Sequence, residues 1–113
     1  MDSNVGAFFW PSLKFSGFDA IEIQGKAKND VVVFIDGVGH KVEIFEAPEE
    51  FVDSHLLVEQ LTEMFAETEN EKKNIGIVST GAAAEHSLIG MFYFSFYDPK
   101  REKVKLKQVG RGV

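Results

Sequence analysis

The strongest constraint on the fold is the rhythm of the apolar residues. Most apolar runs are short, alternate with polar residues or are rich in β-branched side chains, and stop at Gly or Pro. Ala20-Ile21-Glu22-Ile23-Gln24 alternates like a half-buried strand before Gly25. Val31 to Asp36 is a continuous β-branched and aromatic run, Gly37-Val38-Gly39 turns the chain, and Lys41-Val42-Glu43-Ile44-Phe45 alternates again. That order reads as an antiparallel hairpin. Asn74 to Ser79 reads as a buried strand ending in Thr80-Gly81-Ala82, and Leu88 to Tyr97 as an aromatic strand. Asp98-Pro99-Lys100-Arg101 is turn chemistry, after which Val104 and Leu106 alternate with Lys103, Lys105 and Lys107. A last hairpin thus delivers the basic, glycine-bounded stretch Gln108-Val109-Gly110-Arg111-Gly112 to the C-terminus.

One stretch carries a helical period instead. From Asp53 to Glu67, Leu57, Leu61, Met64 and Phe65 recur at helical spacing, with Asp53 or Ser54 placed to cap the first free amides. Pro11 could open a short helical turn that Gly17 ends, and the charged segment Glu67 to Lys73 reads as a solvated loop. The expectation is a strand-rich α+β domain spanning residues 1–113, with antiparallel hairpins and one main amphipathic helix. No internal repeat or linker is visible.

A chain of 113 residues is one domain, burying roughly two thirds of the surface its unfolded form exposes. Eleven Phe and one Trp supply bulky core material. The net charge of −6 gives the chain as a whole no electrostatic footprint for nucleic acid or an anionic membrane. There is no cysteine, so an iron-sulfur cluster on thiolate ligands would have to be held by other polypeptide, and disulfides are excluded. Met1-Asp2-Ser3-Asn4-Val5-Gly6 lacks the regions of a signal peptide and no apolar run reaches membrane-spanning length. A cytoplasmic chain is the expectation.

Catalytic constellations are absent from the sequence. His40, His55 and His86 lack the paired spacing that metal sites favour, so no metal site is assigned. Glu49, Glu50, Glu67, Glu69 and Glu71 read as solvated charge, and Ser79-Thr80-Gly81 is not a nucleophile elbow. Two glycine-containing ends stand out instead, Asn4-Val5-Gly6-Ala7 and Gly110-Arg111-Gly112. Glycine lets a backbone approach a ligand closely and Arg pairs bidentately with phosphate. Taken alone, each reads first as a plain turn.

Between those ends, Phe9-Trp10-Pro11-Ser12-Leu13-Lys14-Phe15-Ser16-Gly17-Phe18-Asp19-Ala20-Ile21, continuing to Gly25-Lys26-Ala27, closely resembles the segment that follows the pterin loop in the aldehyde ferredoxin oxidoreductases. The likeness continues in order through Asp36, the run Lys41-Val42-Glu43-Ile44, an acidic helix, and Ile77 to Gly81 with Ala83, Glu85 and His86. It closes with Leu106-Lys107-Gln108-Val109-Gly110-Arg111-Gly112 as a variant of a second loop. The chain departs from the family pattern at Val5, Ala7 and Val113, where the family has Gly or another small residue.

The resemblance implies part of a β-rich N-terminal domain on which a tungsten bis-pterin cofactor of the molybdopterin type lies. Carried over by position, it implies Asn4 and Gly6 as contacts in one loop, and Lys107, Gln108, Gly110 and Arg111 in the second. It assigns no catalytic residue here. Aldehyde oxidation to carboxylate, with electrons passed to ferredoxin, is what it implies for a full-length enzyme whose other segments hold the iron-sulfur cluster. The chain would then be a truncated piece or a subunit, inactive alone, needing the remaining enzyme domains or a separate large subunit. A stand-alone binding or assembly module and a non-functional folded remnant are the alternatives. A homo-oligomer is open as well, with self-association expected through Phe8, Phe9 and Trp10.

Overall fold

The computed structural model describes residues 8–48, 53–82, 86–87 and 92–108. In chain order the elements are α1 (Phe9–Phe15), β1 (Val31–Asp36), β2 (Lys41–Glu46), α2 (Ser54–Phe65), α3 (Glu69–Asn74), β3 (Val78–Ser79), β4 (Tyr93–Asp98) and β5 (Lys103–Gln108). The strands form two separate antiparallel sheets, β1-β2 and β3-β4-β5. This is the α+β class that the apolar rhythm predicts.

Both hairpins form where alternation flanks turn residues. β1 and β2 pair from Val31 with Glu46 to Asp36 with Lys41. The Asp36 carboxylate accepts the Val38 amide at 2.9 Å, an Asx turn that starts the reversal. β4 and β5 pair from Tyr93 with Gln108 to Asp98 with Lys103. Each loop ends on a residue in the left-handed region, His40 and Glu102, both at φ 51°.

The helices have identifiable ends. Asp53 caps α2, accepting the His55 amide at 2.9 Å and the Leu56 amide at 3.0 Å. Ser54, Leu57, Val58, Leu61 and Thr62 form its buried stripe, at the spacing that puts them on one face. Leu57, Val58, Leu61 and Phe94 are the buried apolar centre, and burial of such side chains stabilises by roughly 1.5–3 kcal/mol each. After Ser16, Gly17 donates to Lys14 and Phe18 to Leu13, so α1 closes in a Schellman motif with Gly17 at φ 92°. Phe65, at the end of α2, stacks on Phe34 with centroids 4.5 Å apart and meets Phe45 edge-on at 5.3 Å, covering one face of the β1-β2 hairpin.

Four local expectations differ from the structure. Ala20–Gln24 forms no strand among the described residues, because alternation suits a pleated surface but a strand needs a neighbour to pair with. The charged segment after Glu67 is the helix α3, held by a capping box in which Glu71 receives the Thr68 amide at 3.1 Å and Thr68 Oγ1 receives the Glu71 amide at 3.2 Å. Of Asn74 to Ser79 only Val78 and Ser79 are strand. Met64 is exposed, and α2 ends at Phe65 rather than Glu67. Leu88 to Met91, expected in the aromatic strand, lie outside the described residues. No helix among the described residues is long and apolar enough to cross a membrane.

Candidate functional site

The β3-β4-β5 sheet places the residues that the C-terminal loop assignment singles out. Side chains alternate along β4 and β5, so Phe94, Phe96 and Asp98 share one face with Lys103, Lys105 and Lys107. Tyr93, Ser95 and Tyr97 share the other with Val104, Leu106 and Gln108. The second face carries the helices: Lys73 Nζ sits 5.4 Å from the Tyr97 ring centre, and Val104 lines a shallow groove with Val58, Glu59, Thr62, Glu63 and Lys72. Ser95 ties β4 to the preceding segment, donating its amide to the Ile77 carbonyl at 2.8 Å and receiving the Ile77 amide on Oγ at 2.9 Å.

The first face is where the N-terminal segment arrives. Phe8 stacks on Phe96, which lies 6.5 Å from Phe94 on the same strand. Lys107 is the cross-strand partner of Phe94 and is exposed, as is Gln108 opposite Tyr93. Phe8 is the first described residue after the Asn4-Gly6 loop, and Lys107 and Gln108 are the last before Gly110-Arg111. One sheet therefore carries the described flanks of both loops. Asn4, Gly6, Gly110 and Arg111 themselves lie outside the described residues. The sequence expectation gives Phe8 to a self-association surface rather than to this sheet; the sequence signal for the aromatic face is Phe94 and Phe96 two apart in one strand.

The charges of this face are arranged for holding rather than for proton transfer. Lys105 Nζ is 2.6 Å from Asp98 Oδ2, and the Lys100 amide donates to Asp98 Oδ1 at 3.0 Å. The hydrogen bond from Lys105, followed by the backbone amides of the turn, holds the Asp98 carboxyl below its ordinary value. It is a fixed anion near neutral pH, unsuited to general acid or base work. Lys103 and Lys107 have no ion pair among the described residues. No group of three or more His, Asp or Glu among the described residues could hold a metal ion. What the face offers is ammonium groups over an aromatic floor, with the Gln108 amide on the opposite face at the same strand end, a donor set for an anionic or polar-edged flat ligand.

Residues 1–112 match the sequence pattern of the family described as aldehyde ferredoxin oxidoreductase, N-terminal domain. Three curated relatives share that description in their names, each a tungsten-containing aldehyde ferredoxin oxidoreductase. The protein from Pyrococcus horikoshii is 36% identical over 86 residues, which cover 76% of this chain and 13% of the relative. That from Pyrococcus furiosus is 33% identical over 86 residues, 74% of this chain and 13% of the relative. That from Pyrococcus abyssi is 37% identical over 86 residues, again 76% and 13%. The chain thus matches 13% of the length of these relatives. No solved structure matches it significantly.

Proposed function

This chain belongs to the aldehyde ferredoxin oxidoreductase N-terminal domain family, and from that premise we propose that it contributes contacts to a tungstopterin cofactor without being catalytic by itself. The observation that carries the reading is the convergence on one sheet of Phe8, at the edge of the Asn4-Gly6 loop, with Lys107 and Gln108, at the edge of Gly110-Arg111. Donor chemistry fits the ligand. Ammonium and amide groups suit the polar rim of a pterin and its anionic tail, and glycine backbone can lie flat against the ring. When bound, the metal-pterin group supplies two-electron redox chemistry. The residues of this chain hold and orient it, with Lys107 and Arg111 balancing negative charge and Gln108 and Asn4 hydrogen bonding.

The chain has no cysteine, so cysteine ligands for an iron-sulfur cluster come from other polypeptide. In an assembly with the remaining family domains, or with a large subunit that carries them, aldehyde is oxidised to carboxylate and electrons leave to ferredoxin in the cytoplasm. Exposed apolar surface supports the need for such neighbours: Val31, Val33, Val42 and Ile44 alternate on the β1-β2 face opposite Phe65, with Ile44 69% exposed.

The test is anaerobic purification of the chain, alone and with the remaining family domains, followed by tungsten, molybdenum and pterin analysis. Cofactor is expected near one equivalent in the assembly, and K107A with Q108A is expected to lower retention about tenfold. Full cofactor retention in that double variant sinks the assignment of the β5 end as a contact.

A further inference from the structure

Among the described residues Ala20–Gln24 has no paired neighbour and β5 is paired on one side alone, and the patterns of the two are complementary. The first is Ala20–Gln24. Every residue from Asp19 to Asp30 is exposed, Ile23 at 77%, and no backbone group from Asp19 to Asn29 makes a backbone hydrogen bond among the described residues. Its alternation nevertheless gives an apolar side, Ile21 and Ile23, and a second side on which Glu22 and Gln24 follow the small Ala20. Gln24 Nε2 donates to Glu22 Oε1 at 2.6 Å, which confirms that those two side chains share a side. The second element is β5, the edge strand of its sheet. Its outer edge has no strand partner among the described residues and offers backbone groups for pairing, with Val104 and Leu106 toward one face and Lys103, Lys105 and Lys107 toward the other.

We propose that two copies of this chain pair by exchange, the Ala20–Gln24 segment of each adding as a strand to the β5 edge of the other. Charge selects this pairing. If Ala20–Gln24 met its own copy in antiparallel register about Glu22, the two Glu22 carboxylates would lie directly opposite each other. If β5 met β5 about Lys105, three lysines would face three lysines. In the mixed antiparallel pairing, Ala20 opposes Lys107, Ile21 opposes Leu106, Glu22 opposes Lys105, Ile23 opposes Val104 and Gln24 opposes Lys103. Apolar meets apolar on one face, and the carboxylate meets a lysine row on the other. Lys105 keeps Asp98, while Lys103 and Lys107 stand diagonal to Glu22 with no ion pair among the described residues.

The lysine row therefore has two roles: it blocks the β5 edge against itself and admits the acidic strand. Reciprocal exchange gives a closed two-fold dimer in which each contact occurs twice, so the weak energy of one five-residue pairing is doubled. The surface differs from Phe8, Phe9 and Trp10, and the inference does not depend on cofactor binding.

Sedimentation velocity of the 113-residue chain over a wide concentration range tests the exchange, with hydrogen exchange run at the two ends of that range. A monomer–dimer equilibrium is expected, with dimer-dependent amide protection in Ala20–Gln24 and β5. E22K should weaken the dimer about tenfold, and adding K103E and K107E to E22K should restore it. All three positions are exposed, and circular dichroism checks that the fold persists. A chain that stays monomeric throughout overturns the proposal. So does association that is indifferent to E22K but lost in W10S, which would assign it to the aromatic surface.

Discussion

Phe8 lies flat on Phe96, ring centroids 4.6 Å apart and planes 10° from parallel. The pair fixes the residue just before α1 to the middle strand of the β3-β4-β5 sheet, and so ties the N-terminal segment to the strand beside Lys107. Stacked pairs contribute beyond the area they bury, so a double-mutant cycle on F8L and F96L is expected to give a coupling of about 0.5–1.5 kcal/mol in urea unfolding. A coupling near zero would mean that the two rings only cover the sheet independently.

Acid should loosen the β4-β5 hairpin. Lys105, then the Lys100 and Arg101 amides, hold the Asp98 carboxyl below its ordinary 3.8 in the folded chain. A lowered folded value means that the contribution is fully present above the unfolded value and is lost as pH falls through the folded one. Asp53, lowered chiefly by the Leu56 amide, and Asp36, lowered chiefly by the Gly39 amide, have the same sign. D98N is therefore expected to be less stable than the parent at neutral pH, and the gap between the two unfolding midpoints should close as pH falls through and below the ordinary carboxylate range. Midpoints that keep a constant gap across that range would remove Asp98 ionisation as the cause.

Much of this fold is legible because its determinants are local. Gly37-Val38-Gly39 and Asp98-Pro99-Lys100-Arg101 turn the chain where the sequence predicts, and alternation on both sides sets the strands that follow. Asp53 likewise announces α2. Where the reading differs, the deciding partner is elsewhere. Ala20–Gln24 has the pattern of a strand and no neighbour among the described residues, so pattern alone does not decide its state. At α3 the density of charge suggests a solvated loop, whereas Thr68 and Glu71 three residues apart form the capping box that starts a helix. At the candidate site, the stretch between the two ends carries most of the family likeness, but only the fold brings Phe8 onto Phe96 beside the strand that ends in Lys107 and Gln108.

Gly37 sits against the C-terminal end of α1. A Cβ built there would lie 2.9 Å from Ser16 Cα and 3.0 Å from Ser16 Oγ, so the first hairpin turn rests on the end of α1. Ser16 is the C-cap and its Oγ donates to the Ser12 carbonyl at 2.8 Å, which leaves the backbone little room to retreat. G37A is expected to cost about 1–3 kcal/mol by overpacking, read from chemical denaturation. Gly39 tests whether contact with backbone is the reason. A Cβ there would lie 2.5 Å from Asp36 Oδ2, the far end of a side chain that can swing away. G39A should therefore trade the Asp36 turn bond to Val38 for space and cost less, about 0.5–1.5 kcal/mol. Equal losses in the two variants would mean that the hairpin turn resists a methyl group wherever it is placed, and that contact with α1 contributes nothing particular to Gly37.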